Sequence, residues 1–314
     1  MNVIRISAAA ITPLMAFMAV GYFFQKKKYL NKQSTKQINI ICFRFFLSVM
    51  CGETIYKANL REDIELLPVM VVAVSIVGFF LLSWLIVPRF VKDKTQIPVI
   101  IQGIYKANYA ILGIPIAQSI CGTDNIGIVS VIAVILVPLN NSLSAFIFER
   151  YTGNAASRPK LLLNVIRNPL VVGSIVGIVL NLTGFVIPKW IMTGIISKIS
   201  ALTTPLSMIA LGASFDFSHI KNYKIHLIWT LLGKLIFLPM VIIPVSIALG
   251  LRGANLVAIM IFAAAPTAVN SYSTAVAMGG DSELANEIVI MSSLISMLTL
   301  FGWFCLVGFT VGLV

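Results

Sequence analysis

The chain has 314 residues, of which 59% are hydrophobic and 11% charged, and its mean hydropathy is +0.98. A water-soluble domain carries roughly 25% charged residues, so this supply cannot cover a water-facing surface, and the composition is that of an all-α polytopic membrane protein. The net charge of +12 does not call for a nucleic-acid partner, because the lysines and arginines gather in short loops between apolar runs, where they report topology.

The first apolar run, residues 4–24, has its basic cluster Lys26–Lys28 after it rather than before it, so it reads as a retained span and not as a cleaved leader. Nine more runs follow, near residues 37–56, 66–87, 97–120, 126–148, 169–187, 194–215, 225–250, 254–279 and 286–312. An even number of spans puts both termini on one side. With that alternation, the loops after odd-numbered spans hold 14 of the 23 basic residues, the opposite side holds 6, and Arg44, Lys106 and Lys234 fall inside spans. The positive-inside rule then predicts both termini outside the cytoplasm of a cell-membrane protein.

The ten spans divide into two sets of five. Pro13-Leu14 and Val20-Gly21 recur as Pro169-Leu170 and Val176-Gly177. In the fourth and ninth spans, Ala107, Ala110, Ala117 and Gly122 recur as Ala265, Ala268, Ala275 and Gly280 at nearly the same offset. The predicted organisation is a first repeat over 1–150, a cytoplasmic linker over 151–168 and a second repeat over 169–314. Because five is odd, the second copy enters the membrane inverted, an architecture of transporters with a midplane site where broken helices meet.

The fourth and ninth spans are the irregular ones. The fourth carries Lys106, Asn108, Tyr109 and Gln118 around Gly113 and Pro115; the ninth carries Asn270, Ser271 and Ser273 just after Pro266. A proline inside a helix removes a donor and frees a carbonyl, which hydrocarbon tolerates only where protein or cavity water satisfies it. Gly113, Pro115 and Pro266 are therefore the expected helix breaks. Lys106, Asn108, Tyr109, Gln118, Asn270, Ser271 and Ser273 are the expected substrate-binding residues. Lys106 carries most weight, since an ammonium within a span is expensive and marks function by default.

All eleven acidic residues are expected in loops or near span ends, with no carboxylate beside the breaks. A site of lysine, amides, hydroxyls and helix ends suits an anion better than a cation. Cys42, Cys51, Cys121 and Cys305 form neither a disulfide framework nor zinc spacing, and His219 and His226 are the only histidines, so no metal or cofactor is expected. HExxH, phosphate-loop and Asp-rich metal motifs are absent, which argues against a membrane enzyme or an ATP-driven pump.

Four blocks carry a resemblance: NPLVVGSIVGIVLNLTGFVIP (168–188), TTPLSMIALGASF (203–215), NYAILGIPI (108–116) and AAPTAVNSYSTAVAMGGD (264–281). In these the chain resembles the auxin efflux carrier family, which includes plant auxin carriers and bacterial permeases for malonate, malate and related acids. The resemblance implies crossed, interrupted spans 4 and 9 in a mobile transport domain of spans 3–5 and 8–10. It also implies a scaffold of spans 1, 2, 6 and 7 that pairs into a homodimer, with membrane lipid as the remaining partner. The implied function is secondary transport of a small organic anion, mono- or dicarboxylate, by alternating access; the alternative is a cation/proton antiporter of similar architecture. One departure is local: the second span has Ser48 where the family places a proline, whereas its repeat partner keeps Pro205.

Overall fold

A computed structural model describes residues 2–57, 65–109, 113, 116–117, 120–121, 127–153, 169–215 and 223–311. Among them the chain is helical with no strand. The helices are α1 (Asn2–Lys26), α2 (Gln33–Lys57), α3 (Leu66–Phe90), α4 (Ile97–Tyr105), α5 (Gly127–Thr152), α6 (Pro169–Thr183), α7 (Lys189–Ala213), α8 (Lys224–Ala248), α9 (Gly253–Ala264), α10 (Asn270–Met278) and α11 (Ser282–Thr310). Five of them, α2, α3, α7, α8 and α11, are long and apolar enough to cross a membrane. Large side chains such as Val74, Leu85, Val179 and Trp229 stand on the outside of the bundle, a surface stable against lipid tails but not against water.

Glycines decide how the first, second, sixth and seventh long segments meet. A Cβ on Gly21 of α1 would lie 1.9 Å from the Ile209 carbonyl oxygen of α7, and one on Gly212 of α7 would lie 1.9 Å from that of Met18 in α1. The α2–α6 pair repeats the device: a Cβ on Gly173 would sit 2.3 Å from the Ser48 oxygen, and one on Gly177 2.5 Å from the Gly52 oxygen. Backbones this close bring many dispersion contacts together, which is what drives helix pairing where no hydrophobic effect operates.

Among the described residues three helices contain a π turn: α2 at Cys42–Phe46, α7 at Met192–Ile196 and α8 at Gly233–Phe237. In α2 the turn ends just before Ser48, whose hydroxyl donates back to the Arg44 carbonyl at 3.1 Å. The irregularity expected from a proline is thus carried here by a π turn and a back-bonded serine.

Polar clusters tie the helix ends together. At one end Asp281 caps α11 by accepting from Leu284 N, its own N–H donates to the Thr95 carbonyl, and Gln96 Nε2 donates to its carboxylate. Tyr223 donates to the same carboxylate at 3.3 Å; burial, with Asp281 and Glu283 nearby, pushes its phenol up to about 12, so it stays a donor at physiological pH. Asp93 accepts from Thr95 Oγ1 and N, and these bonds hold its carboxyl below the usual range. In a second cluster Tyr56 donates to the Phe185 carbonyl and accepts from Ile187 N, and Asn181 Nδ2 donates to the carbonyls of Ile55 and Tyr56.

Candidate substrate site at the helix crossing

The site begins with two helices that stop short. Helix α4 ends at Tyr105 because Lys106 turns extended (φ −82°, ψ 114°), and α9 ends at Ala264 because Ala265 does the same (φ −62°, ψ 150°). The second stop follows from chemistry, since Pro266 has no N–H to give the Phe262 carbonyl. The two extended stretches then pair antiparallel through Ala107 and Thr267: Asn108 N donates to the Pro266 carbonyl at 2.7 Å, and Ala268 N donates to the Lys106 carbonyl at 3.3 Å.

Side chains satisfy two further groups of the broken backbone. In a continuing helix the Gly103 carbonyl would accept from Ala107; here it accepts from Thr267 Oγ1 at 2.7 Å. Thr267 N donates to Ser292 Oγ of α11 at 3.1 Å, and that hydroxyl donates in turn to the Val289 carbonyl. The Gly103 carbonyl and the Thr267 N–H are thereby satisfied at the interruption, as burial in apolar surroundings requires of backbone groups.

Around this pairing lie polar side chains that make no hydrogen bond. Lys106 is 2% exposed and its Nζ has no partner; Asn108 Nδ2, Tyr109 Oη, Asn270 Oδ1 and Ser271 Oγ are likewise buried and unpaired. Asn270 and Ser271 open α10, so amide dipoles point toward the crossing from the N-terminus of that helix. A set of this kind, one cation, two amides, hydroxyls and a helix N-terminus, can hold an anionic group.

The profile of a family described as membrane transport protein matches residues 6–304. The chain belongs to the auxin efflux carrier family of membrane transport proteins. An uncharacterized transporter of Methanothermobacter thermautotrophicus is 20% identical over 304 residues, covering 95% of this chain and 97% of that protein. The uncharacterized transporter YfdV of Escherichia coli K12, and its counterpart in Shigella flexneri, are 22% identical over 270 residues, with 82% of this chain and 84% of theirs covered.

The transporter's remaining expected site residues are distributed unevenly. A Cβ on Gly113 would lie 3.3 Å from Ile261 of α9, so its small size serves packing between the two interrupted spans, and the residues flanking it lie outside the described set. Pro115 and Gln118 lie outside the described residues. Ser273 lies within α10, and its side chain is outside the described set.

Sequence reasoning passed over Gln102. It is 1% exposed with both amide atoms unpaired, and with Gly103, Thr267 and Ser271 it lines a narrow crevice walled by Val99 and Ile288. Its signal was present in the sequence, since it precedes Lys106 by four residues, the spacing of one helical turn. Two of the acidic residues near helix ends are buried. Glu287 is fully buried, because Asp281 starts α11 early enough to place it in the second turn, in a helix packed on α4, α8 and α10. Glu53 is 9% exposed in α2, paired with Lys57 at 2.7 Å and hydrogen-bonded to Ser197 of α7.

Proposed function

We propose that this transporter is a secondary carrier of small organic anions, mono- or dicarboxylates, working by alternating access. The observation that carries the reading is Lys106: a buried ammonium without a hydrogen-bond partner, at the point where two interrupted helices pair. An uncompensated cation in a core is costly, and a substrate carboxylate that visits it supplies the missing acceptor. Lys106 and Asn108 would receive the carboxylate from one span, and Asn270, Ser271 and Ser273 from the other.

The proposal includes ten spans in two inverted five-helix repeats. Gly21 on α7 and Gly177 on α2 are equivalent contacts under that symmetry. The alternation would put residues 93–96, 223 and 281, which meet in one cluster, at one end, and residues 56 and 185–187, which meet in another, at the other. The scaffold would be spans 1, 2, 6 and 7, and the moving unit spans 3–5 and 8–10. Both termini would face away from the cytoplasm of a cell membrane, and the scaffold would dimerise.

The second reading, a cation/proton antiporter, is favoured by one observation, the buried carboxylate of Glu287. A panel of mono- and dicarboxylates, titrated onto purified protein at two pH values with and without sodium, separates the two. The anion reading expects a carboxylate to raise the melting temperature without sodium. Stabilisation by sodium alone, with no response to any carboxylate, would favour the antiporter.

A further inference from the structure

A second lysine lies as deep as Lys106. Lys234 falls in the π turn Gly233–Phe237 of α8, its side chain is fully buried, and its Nζ makes no hydrogen bond. Helices α4 and α8 both start at the Tyr223–Asp281 end. At 1.5 Å per residue Lys106 is roughly 14 Å and Lys234 roughly 15 Å along them. The π turn brings Lys234 against the crossing: a Cβ on Gly233 would lie 3.3 Å from Ile104 Cγ1, and the Lys234 ammonium stands 5.7 Å from the centroid of the Phe262 ring. Phe262 is also the residue whose carbonyl Pro266 leaves without its helical donor.

The turn itself is fixed, because Trp303 of α11 donates to the Leu235 carbonyl at 3.1 Å. An aromatic face and the C-terminal end of α9 account for part of the stabilisation of a cation here. They leave its N–H donors unused, and at full burial the side chain cannot snorkel to water. Irregular turns of this kind recur at functional sites.

We propose that Lys234 supplies the second positive charge of the substrate site, reached from α8 while Lys106 is reached from α4. The inference rests on the anion reading above and extends it to a residue outside both interrupted spans.

The test uses purified full-length protein and its Lys106→Gln, Lys234→Gln, Lys234→Met and Lys234→Arg variants. The probe is whichever of malate, malonate, lactate and acetate the wild type binds most tightly, read by the ligand-induced shift in melting temperature and by uptake KM in liposomes. Lys234→Met removes a cation without hydrogen bonds and is expected to melt at or above wild type without ligand. Its affinity for the probe is expected to fall by about tenfold or more, the scale of a charged hydrogen bond, with partial recovery in Lys234→Arg.

Binding within twofold of wild type in both neutral variants, with Lys106→Gln defective, would overturn the role of Lys234 and leave the anion reading standing. Failure of both neutral variants to fold, with Lys234→Arg folded and of unchanged affinity, would assign the lysine to the fold and overturn it too. Absence of any carboxylate binding by wild type would sink the anion reading itself.

Discussion

At the residue scale, the crossing separates groups that hold the backbone from groups with unmet hydrogen bonds. Thr267 belongs to the first kind: its hydroxyl and N–H both have partners, on α4 and α11. Replacing it with valine leaves the Gly103 carbonyl buried without its donor, at a cost of about 1–3 kcal/mol. The expected result is a lower melting temperature in detergent and weaker transport, since the crossing loses its tie. Asn108 belongs to the second kind, because its backbone pairs with Pro266 while its side-chain Nδ2 has no partner. Asn108→Ala is expected to keep the melting temperature of the unliganded protein and to weaken carboxylate uptake by about tenfold or more. Unchanged uptake of every transported acid would remove Asn108 from the site. Lys106, Asn108 and Asn270 were legible in the sequence because polar residues stand out in an apolar span. The burial of Glu287 was not legible, because only the helix cap at Asp281 shows how deep that residue lies.

At the element scale, the location of breaks was partly legible. Pro266 announces the end of α9, as the loss of a donor requires. The break at Lys106–Asn108 contains no proline, and α4 ends at Tyr105 because the pairing with Pro266 and Ala268 draws the following backbone out. Such a tertiary cause leaves no local signal. The π turns of α2, α7 and α8 were equally silent. The glycine contacts give an element-scale prediction: Gly212→Ala places a Cβ 1.9 Å from the Met18 carbonyl oxygen, so α1 and α7 must separate. Folded yield on size-exclusion chromatography is expected to fall sharply. Gly302→Ala in α11 meets nothing within 4 Å and is expected to be neutral or stabilising by up to about 1 kcal/mol, the helix-propensity gain. Equal behaviour of the two variants would contradict the close-packing account.

For the whole molecule, composition alone established a helical membrane protein, and the family followed from four sequence blocks. The close packing of α1 on α7 and α2 on α6 needed the third dimension, because small residues recur in membrane helices whether or not they touch. The proposed alternation predicts that a reporter fused after Val314 is active outside the cytoplasm, and that one inserted after Gly153 is active inside. Two reporters on the same side would break the ten-span scheme.

The central claim is that an organic anion crosses the membrane through the meeting point of α4 and α9. Counterflow in liposomes tests it most directly: protein reconstituted with an unlabelled carboxylate inside should accumulate the same labelled carboxylate from outside, and Asn108→Ala should abolish most of that accumulation. Accumulation of no carboxylate, from liposomes in which the same protein dissipates a sodium or proton gradient, would contradict it.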